Sequence, residues 1–487
     1  MTSEWDAVVI GGGPAGSAAA IALQTRGCRT LVVEAARFPR HHVGESLVSL
    51  WPVFEQIGVA EQMDAVFQHK RGSCRIWGQG RELQWTEFDA LAGGREYSLQ
   101  VERSRFDAIL LARAAAVGAQ VREGHRVRAV LWDGERAVGV RYTSAEGATG
   151  EFRARWVIDA SGRSGLIARE RSLRVVDPFY PDLSVYAYVE HAQRFAGERA
   201  GNLLIEAVPW GWFWFIPLHT GEVSVGLVCD RSSREQTKTR GLDGFFREAL
   251  ATSTLVGAMV AAGRVSRGPI ATTSRGYSSA RYAGPGWLVA GDAGSFVDPM
   301  WATGVANAMT DGLMAAGVVE AVGCGRVTEA AAVAYYDQLA QRTDRTLALV
   351  RFVYGSNHLH GDAPFWRARR APTGGPGASP AGILRRLSGD PSVRYFRNAF
   401  SGMGHGADTL APLDEMLERW THRDAAIGGL TQDFTAWAPR FRPAVSARRS
   451  LGFEGYRLTP GLAIDNDGIE HFTSDTAMAT VFEAVDG

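Results

Sequence analysis

The sequence predicts an α/β fold: a Rossmann-like nucleotide-binding domain with an inserted β-sheet domain and a mostly helical C-terminal region. Residues 6–36 follow the order strand, glycine turn, helix and strand. Residues 286–312 repeat the order strand, turn and helix, and residues 172–285 hold short apolar segments with the lengths of strands. Because 487 residues exceed the usual size of one hydrophobic core, we expect several domains.

These patterns divide the chain into four segments. Residues 1–171 form the first part of the nucleotide-binding domain and include a predicted β-meander from about residue 120, and residues 172–285 form the β-sheet domain. Residues 286–340 return to the nucleotide-binding domain, and residues 341–487 are a mostly helical region predicted to cover the substrate.

The first turn carries a dinucleotide-binding pattern. Gly11, Gly13 and Gly16 form G-x-G-x-x-G between a strand and a helix that contains Ala15. The glycines permit the tight turn, the approach of a pyrophosphate and close packing of the helix. Glu34 ends the second strand, where a carboxylate can accept hydrogen bonds from ribose hydroxyl groups. We therefore predict a nucleotide cofactor at this turn.

Two distant segments favour FAD over NAD as that cofactor. "DASGRSG" follows a strand at residue 159, and "GWLVAGDAGSF" begins at residue 286 and includes Asp292, which resembles the aspartate that flavoproteins place on the ribityl chain and pyrophosphate. A further helix is predicted to open with Ser104 and Asp107 in capping-box spacing, and Arg103 before it could reach the cofactor.

Charge and composition exclude several partners. The formal net charge is zero and no run of like charges occurs, so nucleic acid and anionic membranes are poor candidates as partners. The four cysteines are scattered and lack metal-ligand spacing, which favours reduced thiols and a cytoplasmic location. The histidine pairs have no metal-binding spacing either, and we predict no metal site.

Lysine use sets one position apart. The chain has 52 Lys plus Arg residues, and only Lys70 and Lys238 are lysines. An amine can lose its proton and act as a nucleophile, whereas a guanidinium group effectively cannot. Lys70 lies in the mostly uncharged segment "KRGSCRIWG", which allows burial and a lowered pKa.

Taken together, these residues resemble those of a flavin-dependent halogenase, within a larger group of FAD proteins that includes aromatic hydroxylases and geranylgeranyl reductases. The resemblance rests on four motifs: "HHVGESL" with Gly44, Glu45 and Ser46; "KRGSCRIWG" with Lys70; "GWFWFIP" with Trp212 and Trp214; and the pair Thr303-Gly304.

The resemblance implies a division of roles among these motifs. Gly44, Glu45 and Ser46 would cover the flavin, and Thr303 and Gly304 would bind chloride or bromide through backbone N–H groups. Gly304 would also contact the flavin, at the start of its helix. Reduced FAD, O2 and halide would yield hypohalous acid, which travels to Lys70. The tryptophans of "GWFWFIP" occupy a strand with two apolar faces, which predicts core packing; the resemblance adds that they separate substrate from flavin.

The same resemblance bears on partners and substrate. No second motif for NAD(P)H is visible, so a separate flavin reductase is expected to supply FADH2. Halogenases that act on free tryptophan carry a glutamate two residues before the Thr-Gly pair, and this chain has Trp301 there. We therefore expect a phenol or pyrrole rather than tryptophan, either free or tethered to an acyl or peptidyl carrier protein.

Two other enzymes and a binding protein remain as alternatives. An FAD-dependent aromatic hydroxylase would use its own NAD(P)H and usually has "DG" where this chain has "DASG". A flavin reductase of isoprenoid double bonds shares the "GES" and "DASG" motifs but needs neither Lys70 nor the paired tryptophans. A flavin-binding protein without turnover would not need Lys70 or Thr303.

Overall fold

The computed structural model describes most of the chain. It covers residues 4–369 except 79–80, 88–94, 182, 231–232, 274, 297, 341–353 and 356, together with the backbone of three short strands between 457 and 471. The prediction of a mostly helical region over 341–487 therefore lies largely outside the described residues, as does the side chain of Trp301.

The strands and helices follow in chain order. The strands are β1 (Trp5–Ile10), β2 (Thr30–Val33), β3 (Gln68–Lys70), β4 (Gly72–Ile76), β5 (Gln84–Glu87), β6 (Ser98–Gln100), β7 (Gln120–Arg122), β8 (His125–Asp133), β9 (Arg136–Ser144), β10 (Thr149–Asp159), β11 (Arg174–Val176), β12 (Leu183–Glu190), β13 (Leu203–Val208), β14 (Gly211–Pro217), β15 (Val223–Cys229), β16 (Arg264–Thr272), β17 (Tyr277–Ser279), β18 (Ala283–Gly284), β19 (Trp287–Val289), β20 (Arg457–Thr459), β21 (Leu462–Ile464) and β22 (Glu470–His471). The α-helices are α1 (Pro14–Thr25), α2 (Trp51–Gln56), α3 (Ala60–Val66), α4 (Arg103–Ala116), α5 (Leu166–Glu170), α6 (Arg234–Ala251), α7 (Leu255–Val260), α8 (Gly304–Gly323), α9 (Glu329–Ala340) and α10 (Pro364–Arg367).

The first sheet is the predicted Rossmann-like layer. Its spatial order is β18-β19-β10-β1-β2-β7, and β19, β10, β1, β2 and β7 run parallel. These central strands are buried apolar runs, as expected for a sheet covered on both faces. The predicted β-meander is confirmed, since β9 pairs antiparallel with both β8 and β10.

Helices α1 and α8 pack closely over this sheet. Small residues line their contact, and a Cβ atom added at Gly312 would lie 2.2 Å from the backbone oxygen of Ala15. The absence of a side chain at Gly312 therefore lets two helix backbones approach each other. Both helix N-termini lie at the same edge of the sheet, because the parallel strands β1 and β19 lead into the two helices.

The second sheet is the predicted substrate-facing layer. Its order is β16-β12-β15-β14-β13-β4-β5, and every residue of β14 is buried. Phe213 and Phe215 join one apolar cluster with α6 and α7, whereas Trp212 and Trp214 join another on the opposite face. The prediction of a buried strand with two apolar faces is confirmed.

Two local expectations differ from the structure. Strands β4 and β5 belong to the second sheet although they lie within residues 1–171, because β4 pairs parallel with β13. The predicted capping box is wrong: α4 begins at Arg103, and no side chain caps it. Asp107 instead forms an ion pair with Arg103, one turn away.

A C-terminal segment covers the tryptophan face of the second sheet. The Trp366 Nε1 group donates a hydrogen bond to the Val208 carbonyl oxygen over 2.7 Å, and Asn357 Oδ1 accepts from the Gly78 N–H group over 3.0 Å. Tyr354, Phe365 and Trp366 are buried in this packing. Within the described ranges, none of the helices is both long and apolar enough to cross a membrane.

Candidate active site

One cavity of about 790 Å³ has walls from both sheets. The nucleotide-binding layer contributes residues of the glycine turn, the end of β2, the α4 start and the α8 start, namely Gly11, Gly13, Ala15, Glu34, Arg103, Asp292 and Gly304. The second sheet contributes an apolar portion, namely Leu203, Ile205, Trp212, Trp214 and Ile216. Residues 41–47, here called the strap, add His41 to Ser46 to the lining.

The glycine turn has the geometry that its sequence predicts. Gly11 has φ +101°, and a Cβ atom added there would lie 2.5 Å from the Ala160 backbone oxygen. A Cβ atom at Gly16 would lie 1.9 Å from the Gly11 backbone oxygen. A side chain at either position would thus fill space that the turn and α1 need. Gly13 precedes α1, whose first N–H groups face an open cavity and can bind an anion.

Arg40 is a cavity residue that the sequence analysis missed. Its guanidinium Nη2 atom would lie 3.2 Å from a Cβ atom added at Gly13, and its Nη1 atom is 3.3 Å from Asp107 Oδ2. A positive charge therefore stands beside the turn that is expected to hold a pyrophosphate. No local motif marks Arg40, because only the fold brings it to the turn.

Glu34 lies at the end of β2, as predicted. Its Oε2 atom accepts a hydrogen bond from the Gly12 N–H group over 2.6 Å, and its Oε1 atom accepts from the Ala36 N–H group over 2.7 Å. These two bonds orient the carboxylate at the cavity wall, and each oxygen keeps acceptor capacity for a ligand hydroxyl group.

Arg103 links α4 to the strap. Its Nε and Nη2 atoms donate to Asp107 over 2.8 and 3.1 Å, and Nη1 donates to the Gly44 carbonyl oxygen over 3.3 Å. The guanidinium group is buried, and its pair with Asp107 satisfies the charge. Arg103 is thus held at the cavity wall rather than solvated at a helix start.

Glu45 anchors the strap to the second sheet. Its side chain is buried, its Oε1 atom accepts from the Tyr188 hydroxyl group over 2.5 Å, and its Oε2 atom accepts from the Gly44 N–H group over 2.9 Å. Burial raises the pKa of this carboxyl group, against the effect of the Tyr188 hydrogen bond. Gly44 has φ +117°, a conformation that favours glycine at this bend.

Lys70 ends β3 and lies behind the strap. Only 2% of the residue is exposed, and its Nζ atom donates to Ser46 Oγ over 3.0 Å and to the Leu47 carbonyl oxygen. Burial lowers the pKa of the amine to about 7, with a smaller contribution from Arg75. Ser46 lines the cavity, so the amine is one hydrogen bond away from the cavity wall. The sequence around Lys70 allowed burial, and the amine is buried in the structure.

Thr303 and Gly304 stand where α8 begins. Thr303 precedes the helix, and Gly304 is its first residue and lines the cavity. The Thr303 Oγ1 atom is buried and has no hydrogen-bond partner among the described residues. The unpaired N–H groups of the first helical turn and the helix dipole make this end attractive to an anion. Asp292 lies nearby in the chain, and burial raises its pKa to about 6.

The two tryptophans of β14 line the apolar part of the cavity. Trp212 Nε1 donates to the Tyr354 hydroxyl oxygen over 2.7 Å, and Trp214 Nε1 donates to Ser224 Oγ over 3.2 Å. Both indoles are therefore fixed by a hydrogen bond as well as by packing.

Asp298 is a second cavity residue that the sequence analysis missed. Only 3% of it is exposed; Oδ1 accepts from the Met300 N–H group over 3.0 Å and Oδ2 accepts from the Tyr354 hydroxyl group over 2.8 Å. Burial raises its pKa to about 6, although the Tyr354 hydrogen bond acts in the opposite direction. The available signal was an aspartate in the otherwise uncharged run "FVDPMWATG", five residues before Thr303.

The donors and the cavity shape fit FAD. The glycine turn offers space that a Cβ atom would fill, Arg40 and the α1 N-terminus offer positive charge, and Glu34 offers acceptors. Across the described residues, no group of three or more His, Cys, Asp or Glu side chains is arranged to hold a metal ion.

Sequence comparison finds relatives that share most of the chain. The FAD binding domain family matches residues 4–350. The tryptophan 2-halogenase of Chondromyces crocatus is 34% identical over 377 residues, which cover 76% of this chain and 71% of that protein. The flavin-dependent halogenase armH3 of Armillaria mellea is 31% identical over 377 residues, covering 72% of this chain and 73% of that protein.

Solved structures of halogenases superpose on most of this chain. The myxobacterial chondrochloren halogenase CndH superposes with a TM-score of 0.72 at 30% identity, covering 85% of this chain and 97% of CndH. The flavin-dependent halogenase CmlS superposes with a TM-score of 0.73 at 25% identity, covering 96% of this chain and 86% of CmlS. The chain therefore belongs to the FAD binding domain family and, within it, to the flavin-dependent halogenases, enzymes that use FAD, O2 and a halide.

Proposed function

We propose that this protein is an FADH2-dependent halogenase that uses O2 and chloride or bromide to halogenate an electron-rich phenol or pyrrole-type ring, free or carrier-bound. The observation that carries the proposal is the buried amine of Lys70, whose pKa is lowered to about 7 and which contacts the strap at Ser46. Burial of an amine is costly for stability because it disfavours the charged form, which argues for a chemical role of Lys70.

The glycine turn and its neighbours would hold the cofactor. Gly11, Gly13, Ala15 and Gly16 would admit the pyrophosphate at the α1 N-terminus, where Arg40 balances its charge. Glu34 would accept hydrogen bonds from the ribose hydroxyl groups. When bound and reduced, FAD supplies with O2 the oxidising equivalents that convert halide into hypohalous acid.

Five more residues would complete the cofactor site. Gly44, Glu45 and Ser46 would cover the flavin as part of the strap, with Arg103 holding the strap through Gly44. Asp292 would contact the ribityl chain, since it lines the cavity between the two halves of the nucleotide-binding layer.

The halide would bind at the start of α8. The backbone N–H groups of Thr303 and Gly304 are at a helix N-terminus, and the buried Thr303 hydroxyl group adds a donor that has no partner among the described residues. A helix of 20 residues supplies a positive dipole end at this point.

Lys70 would hold the activated halogen for the substrate. At neutral pH a large fraction of the amine is uncharged, because burial lowers its pKa to about 7. The amine either hydrogen-bonds hypohalous acid or exchanges a proton for the halogen, which yields a haloamine and water. Both forms place an electrophilic halogen beside Ser46 and the cavity.

The apolar part of the cavity would take the substrate ring. Trp212 and Trp214 would wall that ring from the flavin, and Met300 and Ile216 extend the apolar lining. Trp301 stands where tryptophan-specific halogenases carry a glutamate, which favours a ring that activates itself, such as a phenol or pyrrole.

Indole is the second candidate ring. One relative is named a tryptophan 2-halogenase, and position 2 of indole belongs to its pyrrole ring. The product assay therefore has to include tryptophan beside phenols and pyrroles. An aromatic hydroxylase and a flavin reductase of isoprenoid double bonds are further outcomes that the same assay separates.

A separate flavin reductase would supply FADH2, since such reductases generally serve flavin-dependent halogenases. A carrier protein as substrate donor is part of the same proposal, and its test is activity on a pyrrole thioester of a carrier compared with the free acid.

The assay uses purified protein with FAD, a flavin reductase, NADH, O2 and bromide. The ring panel is resorcinol, pyrrole-2-carboxylate and L-tryptophan, and products are measured by mass spectrometry. We expect a bromine isotope pattern with the wild type, and a loss of at least about 100-fold in Lys70→Ala because an activated group is removed. Lys238→Ala is the matched control, because Lys238 is exposed on α6.

A gain of one oxygen that persists in Lys70→Ala would identify a hydroxylase instead. Reduction of an added isoprenoid double bond without halogen would identify a reductase.

A further inference from the structure

Asp298 places an ionisable carboxyl group in the apolar part of the cavity wall. It shares this part of the wall with Trp212, Trp214 and Met300, and it belongs to the segment that leads through Thr303 into α8. In the same segment, Trp301 stands where halogenases that act on free tryptophan carry a glutamate. The structure supplies a carboxylate from the same segment, three residues earlier.

The surroundings of Asp298 suit a group that takes up a proton. Each carboxylate oxygen accepts one hydrogen bond, from Met300 N–H or from the Tyr354 hydroxyl group, and each retains acceptor capacity. The charge of Arg369 also acts on Asp298, and Arg369 is itself ion-paired with Asp230. No ion pair between Asp298 and a cation occurs in the described part of the chain, so its charge is not neutralised by a partner.

Ring halogenation needs such an acceptor. The ring carbon forms a bond to halogen with ring electrons, while the O–X bond of hypohalous acid breaks and leaves hydroxide. The ring C–H bond then breaks, its electrons return to the ring, and a proton must leave. Hydroxide and this proton together make water, so the overall reaction turns ArH and HOX into ArX and water.

We infer that Asp298 accepts the proton that the aromatic ring loses, or the hydroxyl proton of a phenolic substrate, at its carboxylate oxygen in the cavity wall. This inference rests on the proposed function. Tyr354 positions the carboxylate: it donates to Asp298 Oδ2 and accepts from Trp212 Nε1, and so ties the proton acceptor to the tryptophan wall. A burial-raised pKa of about 6 keeps the group mostly ionised at neutral pH yet basic enough to take a proton.

The test compares the wild type with Asp298→Asn, which keeps an oxygen for the Met300 N–H group. The probe is resorcinol, pyrrole-2-carboxylate or L-tryptophan, whichever the wild type brominates fastest, as an equal mixture of unlabelled and ring-deuterated molecules. We expect no isotope preference in the wild-type product. In Asp298→Asn the rate should fall about 100-fold, and the product should be enriched in the unlabelled form because C–H cleavage has become rate-limiting. An Asn variant with an unchanged rate and no isotope preference would overturn the inference.

Tyr354→Phe is the second variant. It keeps the carboxylate but removes a hydrogen bond that lowers its pKa, so the acid limb of kcat/KM near pH 6 should move to higher pH. A limb that stays in place would contradict the assignment even if Asp298→Asn fails to fold. Halogenation by the wild type tests the proposed function separately, because the inference depends only on how the two variants differ from it.

Discussion

The two lysines of the chain occupy opposite environments. Lys70 is buried behind the strap, whereas Lys238 is exposed on α6 and forms an ion pair with Glu235. Scarcity of lysine and the mostly uncharged segment around residue 70 together singled out Lys70. Its partners, Ser46 and Leu47, could not be predicted, because the strap that holds them reaches β3 only through the tertiary fold.

Burial of Lys70 predicts a pH-dependent contribution to stability. Its pKa is about 7 in the folded protein and near 10.5 when exposed, so the unfolded chain binds more protons between these values. The free energy of unfolding of the wild type should therefore rise relative to Lys70→Met as pH increases from about 7 to 10, with a slope of up to about 1.4 kcal/mol per pH unit. Urea unfolding at pH 7, 8 and 9 measures this difference.

Lys238→Met is the control for that series. Its free energy of unfolding should change with pH in the same way as that of the wild type. If the free energy of unfolding of Lys70→Met changes with pH in the same way as that of the wild type, the amine is charged in the folded protein. The role proposed for the amine then loses its basis.

Arg40 and Asp298 are two cavity residues that could not be predicted from the sequence. Both lack a motif of their own, and both matter because distant segments converge on one cavity. Glycine and aromatic motifs, in contrast, are recognisable locally because a turn or a buried strand needs them whatever the surroundings. A lone aspartate or arginine carries no such requirement, so its environment alone decides its role.

Among the elements, helix α8 both lines the cavity and packs against another helix. Its N-terminus faces the cavity, and its middle packs against α1 at Gly312. The sequence predicted a helix flanked by Gly304 and Gly312, and α8 begins at Gly304 but continues to Gly323. The start of α4 was less predictable: Asp107 can either cap a helix or pair with Arg103, and burial of the arginine decided for the pair.

Two glycines of α8 give a matched pair of substitutions. A Cβ atom at Gly312 would lie 2.2 Å from the Ala15 backbone oxygen, whereas nothing lies within 4 Å of one at Gly317. We expect Gly312→Ala to lower the free energy of unfolding by about 3 kcal/mol through overpacking. Gly317→Ala should raise it by about 0.5–1 kcal/mol, as alanine favours a helix.

Urea unfolding of both variants at one pH measures the two effects. Equal stability of the two variants would mean that α1 and α8 can separate without cost, contrary to their close packing.

At the scale of the whole molecule, the cavity depends on both sheets at once. The fold class and the insertion of a second sheet followed from the order of strand and helix patterns. The parallel pairing of β4 with β13 did not, because two short strands about 130 residues apart carry no mutual signal in the sequence. Long-range pairing is decided by packing, which a single sequence does not display.

Shared cavity walls predict that FAD stabilises both layers together. Saturating FAD at about 100 times its Kd should add about 2.7 kcal/mol to the free energy of unfolding, and calorimetry should show one transition that moves to higher temperature. FMN is the control ligand, because it lacks the adenosine half that Glu34 and the glycine turn would hold. Two transitions of which FAD moves only one would contradict a common site.

The passage of β4 and β5 into the second sheet has a consequence for exchanging parts between related enzymes. A graft of residues 172–285 alone would leave the native β4, which begins two residues after Lys70, to pair with a foreign β13. Recombination that respects the architecture has to transfer residues 68–100 with the insertion, as two pieces of one unit. Under the proposed function, substrate preference in such hybrids is inherited in two stretches of gene, and a crossover between them separates Lys70 from the cavity wall that β13 and β14 provide.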